Sequence, residues 1–272
     1  MPLINFIMGK QRKKILFFDF DGVLCDSAVE TGRCAWLAGS TIWEKWRGSD
    51  IPKTHLEKFI KLRPLIETGY QSIALMKLIS ENYTETFIKK EFPFMMEQIF
   101  TSASLNRKAL INLFNKVRKD WSEINPENWL SWHKLYPCSK DIIEIGQTYY
   151  KEVYIVSTKH KKFIKQLLDF FKIDFNTDNI YGLESGENKI EITENILKKT
   201  KKSPKDSVFV DDYNYTLRSF ASNDFFKGMR LYFASWGYLF PETIEEIEKE
   251  KLALSILDLS SAADILKKES LK

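Results

Sequence analysis

The sequence has no apolar run approaching the roughly 18 residues that a bilayer-spanning helix needs, so no membrane span is expected. Cysteine is scarce: Cys25, Cys34 and Cys138 are an odd set of 3, with no C-x-x-C spacing. That argues against a disulfide framework and against a cysteine metal or redox motif, and it suits a reducing, cytoplasmic setting. With 11 Gly and 8 Pro in 272 residues, collagenous and low-complexity readings fall away. Histidine is rarer still, at 3, and shows no ligand-like spacing. The net charge of +4 is mild; it suits anionic small molecules and gives no case for nucleic acid. The N-terminal stretch Met1–Met8 is apolar, but its basic cluster, Lys10-Gln11-Arg12-Lys13-Lys14, follows instead of preceding it. A secretory signal has the reverse order, so the cluster reads as a solvated leader into the first strand.

What is present is a chain with 44% hydrophobic and 29% charged residues, long enough for two domains or for one domain carrying a large insertion. Its most informative segment is Ile15 to Ser27, I-L-F-F-D-F-D-G-V-L-C-D-S. Ile15-Leu16-Phe17-Phe18 has the length and bulk of a strand buried on both faces. Asp19, Asp21 and Gly22 then fall where the strand ends, which in a parallel α/β sheet is the edge where ligands bind. Two carboxylates one residue apart repel each other and cost solvation, so the pair needs a cation or a reaction to serve.

Residues 28–134 show no convincing strand pattern. Segments around residues 30–46, 70–81, 84–100 and 105–121 carry apolar residues at helical spacing, with Pro52, Pro64, Pro93 and Pro126 between them or near their ends. Six of the seven tryptophans lie here (Trp36, Trp43, Trp46, Trp121, Trp129 and Trp132) and read as packing anchors of a helical subdomain in preference to a base-stacking surface. From Tyr136-Pro137 onward the pattern alternates. Short β-rich runs occur at Val153–Val156, Asn179–Gly182 (weaker), Ser207–Val210 and Met229–Ala234, with helical stretches at 161–171, 190–199 and 216–221. Such alternation means βαβ units and a parallel sheet. The expected fold class is therefore α/β, a parallel-sheet Rossmann-like core over residues 1–27 and 135–272, split by an inserted α-helical domain over residues 28–134.

Three of the strands end in complementary polar residues: Asp19 and Asp21, then Ser157 and Thr158, then Asp211 and Asp212. A loop before the 190–199 helix adds Lys189. If those strands are neighbours, one crevice collects carboxylates, hydroxyls and a lysine. An all-oxygen site of that kind suits Mg²⁺, and a lysine with a hydroxyl beside it suits phosphoryl oxygens.

On these residues the chain resembles the haloacid dehalogenase (HAD) superfamily, in its phosphatase branch. Asp19-Phe20-Asp21-Gly22 is similar to the first family motif, Ser157 to the second, Lys189 to the third and Asp211-Asp212 to the fourth, in the right order and spacing. The helical segment sits where that family inserts a cap. Arg63-Pro64, Trp132–Pro137, Thr158-Lys159-His160 and Arg230–Tyr238 are similar to an uncharacterised subgroup from photosynthetic organisms, which supplies no substrate.

The resemblance implies a Mg²⁺-dependent phosphatase acting on a small phosphomonoester. Asp19 would be the nucleophile, Asp21 the acid and base, and Lys189 the neutralising cation. Ser157, with Thr158 and Gly22, would hold the phosphate. Asp19, Asp21 (through its backbone carbonyl) and Asp212 would hold the metal, with Asp211 as a water-mediated or outer ligand. A helical cap closing over the crevice would keep out water and bulky substrates. A dehalogenase is disfavoured because that branch lacks the second aspartate. A phosphomutase uses the same residues, and a phosphonatase would bring a cap lysine, with Lys45, Lys53, Lys58 and Lys61 as candidates. A non-catalytic binding protein on the same fold is the alternative from another class. Two departures stand out. Tyr213, Asn214, Tyr215 and Thr216 occupy places where relatives carry a further acid, and Lys159 competes with Lys189 for the third motif. In the insert, Arg63 is expected to form an exposed salt bridge, although contact with a substrate anion would suit it too, and His133 to be structural. The Lys198–Lys202 run is expected to be the solvated end of a helix. The partner is a small phosphate ester, not nucleic acid or membrane; oligomeric state is not readable.

Overall fold

The computed structural model describes residues 13–186, 188–250 and 253–272. The apolar N-terminal stretch and the 10–12 part of the basic cluster lie outside the described residues. The described residues up to Leu24 and from Leu135 onward form one compact unit, and Cys25–Lys134 form the other.

In chain order the elements are β1 (Ile15–Phe18), β2 (Cys25–Asp26), α1 (Ala28–Ile42), α2 (Lys53–Leu62), α3 (Gln71–Ser80), α4 (Glu85–Ser102), α5 (Arg107–Ile124) and α6 (Pro126–Ser131). There follow β3 (Lys134–Leu135), α7 (Ser139–Tyr149), β4 (Glu152–Val156), α8 (Lys161–Phe170), β5 (Ile180–Tyr181), α9 (Lys189–Thr200) and β6 (Ser207–Asp211). The chain ends with α10 (Asn214–Ser222), β7 (Arg230–Ala234), α11 (Thr243–Lys249), β8 (Leu254–Leu257) and α12 (Ala262–Ser270).

The first unit is built on a six-stranded sheet in the order β5-β4-β1-β6-β7-β8, with every pair parallel. β1 lies between β4 and β6 in matched register, Ile15 opposite both Glu152 and Ser207 and Phe18 opposite Ile155 and Val210. Equal registers bring the three strands to an end at the same edge, which is what gathers the polar residues there. All four residues of β1 are fully buried, as its unbroken apolar run requires. On one face Ile15, Phe17, Tyr154, Val156, Phe209 and Phe233 pack against Ile192 and Ile196 of α9, Leu217 and Phe220 of α10, and Ile247 of α11. Tyr154 and Phe209 stack on either side of Phe17, with ring centroids 5.4 and 5.9 Å away. The opposite face takes α7, where Gly146 lies close against Val153 and Leu16.

At the far end of this unit Glu269 is buried among donors. Lys14 Nζ donates to its Oε1 at 2.8 Å, Lys272 Nζ to Oε2 at 2.9 Å and the Tyr232 hydroxyl to Oε2 at 3.2 Å. Lys14 is therefore not a solvated leader residue; it closes α12 onto β1. Burial alone would raise the Glu269 pKa, but the two lysines hold it below its ordinary 4.5. A depressed carboxylate stabilises the fold above its unfolded pKa and loses that contribution as pH falls through the folded value. Glu269→Gln is thus expected to cost about 3 kcal/mol at pH 7, with the gap to wild type closing as pH falls below 4.5, read by urea unfolding across pH.

The second unit is helical, with no strand among the described residues from Ala28 to His133. Helices α1, α3, α4 and α5 fall where the apolar periodicity predicts them, while α2 and α6 were not expected. Pro93 does not separate helices but lies inside α4. An interior proline costs about 3 kcal/mol, and the burial of Ile88, Phe92, Met96, Ile99 and Phe100 along one face of this 18-residue helix offsets it. Trp36 and Trp46 stack with centroids 4.4 Å apart and planes at 5°, and both are buried, in keeping with a packing role.

Glu30 is fully buried in α1. Arg118 grips it with two parallel bonds of 2.8 Å, and the Trp129 indole N–H adds a third at 2.9 Å. His133 stands beside this group, its Nδ1 3.1 Å from the Trp129 carbonyl and its Nε2 3.8 Å from Glu30, so its role is structural. Arg63 departs from expectation. It is buried, not exposed, and its guanidinium donates to the Ile66 carbonyl within its own turn.

Among the described residues no helix is long and apolar enough to cross a membrane.

Candidate active site

The chain leaves β1 at Asp19 with its backbone still tied to the neighbouring strand, the Asp19 N–H donating to the Val210 carbonyl at 3.0 Å. The turn that follows closes through Leu24 N–H to the Phe20 carbonyl at 2.9 Å. It is pinned further on by Trp236 Nε1, which donates to the Val23 carbonyl at 3.0 Å, and by the Ser139 hydroxyl, which donates to the Leu24 carbonyl at 2.6 Å.

Asp19 is almost entirely buried. Its Oδ1 accepts from the Phe20 N–H at 2.6 Å and its Oδ2 lies 2.7 Å from Lys189 Nζ. The same ammonium donates to Asp211 Oδ2 at 2.7 Å, so Lys189 bridges two carboxylates from adjacent strands. Lys189 does not sit in a loop. It is the first residue of α9, which opens at Asn188 with a reciprocal capping box to Glu191. That cap fixes where the helix starts and so where the lysine points. Burial would lower the Lys189 pKa, but Asp19 and Asp211 hold it above its ordinary value, and it stays charged.

Asp211 is fully buried; its other oxygen accepts from the Tyr213 N–H at 2.8 Å. Burial, with the negative charge of Asp19 beside it, pushes the Asp211 carboxyl up to about 6 against the pull of Lys189. Asp212 is buried next to it and accepts from the Tyr238 N–H at 2.7 Å. Carboxylate oxygens of Asp19, Asp211 and Asp212 lie within 4.8 Å of one another. Three carboxylates meet there beside the Lys189 ammonium, an all-oxygen acidic set that suits a hard divalent cation.

Two glycines make room for Asp212. Gly22 has φ +90°, and a Cβ on it would fall 2.0 Å from Asp212 Oδ2. A Cβ on Gly237 would fall 2.3 Å from the Asp212 Cβ and 2.5 Å from the Gly22 carbonyl. Gly22, expected at the phosphate, is thus seen against Asp212. The sequence reading did not single out Gly237 or Tyr238 for this site; a glycine just past the end of β7 was the available signal.

Asp21 meets Lys159, whose Nζ lies 3.2 Å from each of its carboxylate oxygens. Lys159 and Lys189 therefore divide the acids between them and do not compete for one place. Ser157 is buried just past β4, and its Oγ accepts from the Lys159 N–H at 3.3 Å; Thr158 is half-buried beside it. Asp19, Asp21, Ser157, Thr158, Lys189, Asp211 and Asp212 all stand at the carboxyl edge of β1, β4 and β6, within one unit.

No protein-family model and no curated protein matches the sequence. Solved structures do match its fold. A predicted phosphatase from Clostridium acetobutylicum aligns over 95% of this chain and 100% of its own, with TM-score 0.60 at 13% identity. A haloacid dehalogenase-like family hydrolase from Streptococcus pneumoniae aligns over 93% and 97%, with TM-score 0.58 at 14% identity. The chain has the haloacid dehalogenase-like fold. A predicted phosphoglycolate phosphatase from Haemophilus somnus shares it over 94% of this chain and 99% of its own, with TM-score 0.58 at 17% identity.

Proposed function

We propose that this protein is a Mg²⁺-dependent phosphatase that hydrolyses a small phosphomonoester through an aspartyl-phosphate on Asp19. The observation that carries this reading is the Lys189 bridge between Asp19 and Asp211, with Asp212 completing a trio of acids at the sheet edge. An ammonium held against a carboxylate lets a dianionic phosphate approach a nucleophile of the same sign. Neighbours whose names include phosphatase support the same class, and a reducing, cytoplasmic setting agrees with three cysteines that are all buried.

The donor set fits Mg²⁺, because it is all oxygen, anionic and only partly neutralised. Asp19, Asp212 and the Asp21 backbone carbonyl would hold it directly. Asp211, with one oxygen on Lys189 and the other on the Tyr213 N–H, would act from outside that ring. When bound, the cation neutralises charge on the phosphoryl oxygens.

The residues then divide two steps. An Asp19 oxygen attacks phosphorus in line, the ester P–O bond breaks and Asp21 gives a proton to the leaving oxygen. Water next attacks the same phosphorus and passes a proton to Asp21; the bond to Asp19 breaks and phosphate leaves. Ser157, with Thr158 beside it, would donate to a phosphate oxygen, and Lys189 would balance the charge throughout.

Phosphate release from p-nitrophenyl phosphate and a panel of phosphometabolites tests the reading. The expected result is turnover that EDTA abolishes and Mg²⁺ restores, whereas a chain inactive on every ester with Mg²⁺ present would contradict it. Gly237→Ala is a finer check on the metal site. The added methyl displaces Asp212, so half-saturation by Mg²⁺ should rise about tenfold, with a stability loss of about 2 kcal/mol in urea unfolding.

A further inference from the structure

Lys159 has no exposed side-chain surface, yet the steps above give it nothing to do. A buried ammonium costs several kcal/mol unless it is paired, so its partner indicates its purpose. Its ion-pair partner at the site is the Asp21 carboxylate. Lys159 Nζ lies 3.2 Å from both Oδ1 and Oδ2, a symmetric approach that engages both oxygens at once. The lysine's own backbone is held on both sides: its N–H donates to Ser157 Oγ at 3.3 Å, and its carbonyl accepts from the Leu183 N–H at 3.2 Å. The next residues are tied down through Glu184, which accepts from the Lys161 N–H at 3.0 Å and faces His160 Nδ1 at 3.1 Å. Lys189 bridges Asp19 and Asp211, whereas Lys159 reaches both carboxylate oxygens of Asp21.

We infer that Lys159 is the positioning residue for Asp21, setting the direction from which that carboxyl protonates the leaving oxygen and later takes the proton of the attacking water. Proton transfer is effective only within hydrogen-bond reach and in the right orientation, and misplacing the acid by about 1 Å costs roughly 100-fold. The Asp21 side chain is 16% exposed, so part of it faces solvent from which substrate arrives. This inference rests on the phosphatase reading.

The test compares kcat/KM across aryl phosphates, from phenyl to p-nitrophenyl phosphate, in the wild type, Lys159→Met, Lys159→Arg, Asp21→Asn and the Asp21→Asn/Lys159→Met double variant. A basic leaving group needs the acid and a poor base does not. Lys159→Met should therefore fall about 100-fold on phenyl phosphate and less than about 5-fold on p-nitrophenyl phosphate. Lys159→Arg should recover part of the loss, and the double variant should be no slower than Asp21→Asn on phenyl phosphate, because Lys159 acts through Asp21. Equal losses on all leaving groups, or a further loss in the double variant, would overturn the inference and leave the phosphatase reading standing. A wild type inactive on every aryl ester and on every phosphometabolite with Mg²⁺ present would overturn both.

Discussion

Asp19→Asn is expected to lower phosphatase turnover by at least about 10⁴-fold while leaving the protein folded, as removal of a covalent nucleophile does. The substitution keeps the shape, and an amide oxygen can still accept from the Phe20 N–H that now lies 2.6 Å from Asp19 Oδ1. What it removes is the negative charge and the lone pair that would form the bond to phosphorus. Lys189 keeps Asp211 at 2.7 Å, so no buried ammonium is stranded. Repulsion among three acids within 4.8 Å falls as well, which offsets the amide NH2 set against Lys189 in place of Asp19 Oδ2, and the thermal midpoint without Mg²⁺ should stay close to that of the wild type. The metal response separates this from a trivial loss of folding. Mg²⁺ should raise the wild-type midpoint by mass action and shift the variant much less, because one ligand is gone. Thermal scans with and without Mg²⁺, beside the activity assay, read both effects; equal turnover in the two proteins would remove Asp19 from the reaction.

The second large effect belongs to Lys189→Met. Here the charge balance moves the other way. Asp19, Asp211 and Asp212 would converge without the Lys189 ammonium, and Asp211 is completely buried. Breaking a buried pair from the cationic side costs about 3–5 kcal/mol, since the acids it served remain desolvated. Turnover should drop about 10³-fold, the scale of removing one preorganised electrostatic partner of the transition state. Because a divalent cation occupies the same electrostatic niche, millimolar Mg²⁺ should return part of the stability to Lys189→Met in urea unfolding, with little return of turnover. A variant as stable as the wild type without Mg²⁺ and as active with it would show that the bridge carries no energetic or catalytic weight.

The legible parts of this molecule were the local ones. Ile15–Phe18 could be read as a doubly buried strand because an unbroken apolar run admits few other environments, and Asp19-Phe20-Asp21-Gly22 follows it directly. The parallel sheet followed from alternation of β-rich and helical stretches. The last strand, β8, went unread because Leu254-Ser255-Ile256-Leu257 is short and carries a serine in its middle, at a sheet edge where burial is partial. Helix α2 went unread because only Phe59 and Leu62 are buried along it.

In the site, the placement of Lys189 depended on the Asn188–Glu191 cap, a local signal, yet its contact with both Asp19 and Asp211 depends on strand order. Lys159 and Asp21 are 138 residues apart, and nothing near either residue says that they meet. The fit of Asp212 between Gly22 and Gly237 is of the same kind, since it joins the ends of three strands. Arg63 shows the converse, a charge that composition sends to the surface and that lies inside, its guanidinium on the Ile66 carbonyl.

The central claim is that phosphate passes through Asp19, and acid-quench mass spectrometry of the enzyme during turnover tests it most directly. The account predicts one phosphoryl group on the peptide containing Asp19 at early times, present in wild type and absent from Asp19→Asn. An unmodified peptide at every quench time while phosphate is being released, or the phosphoryl group on another residue, would contradict it.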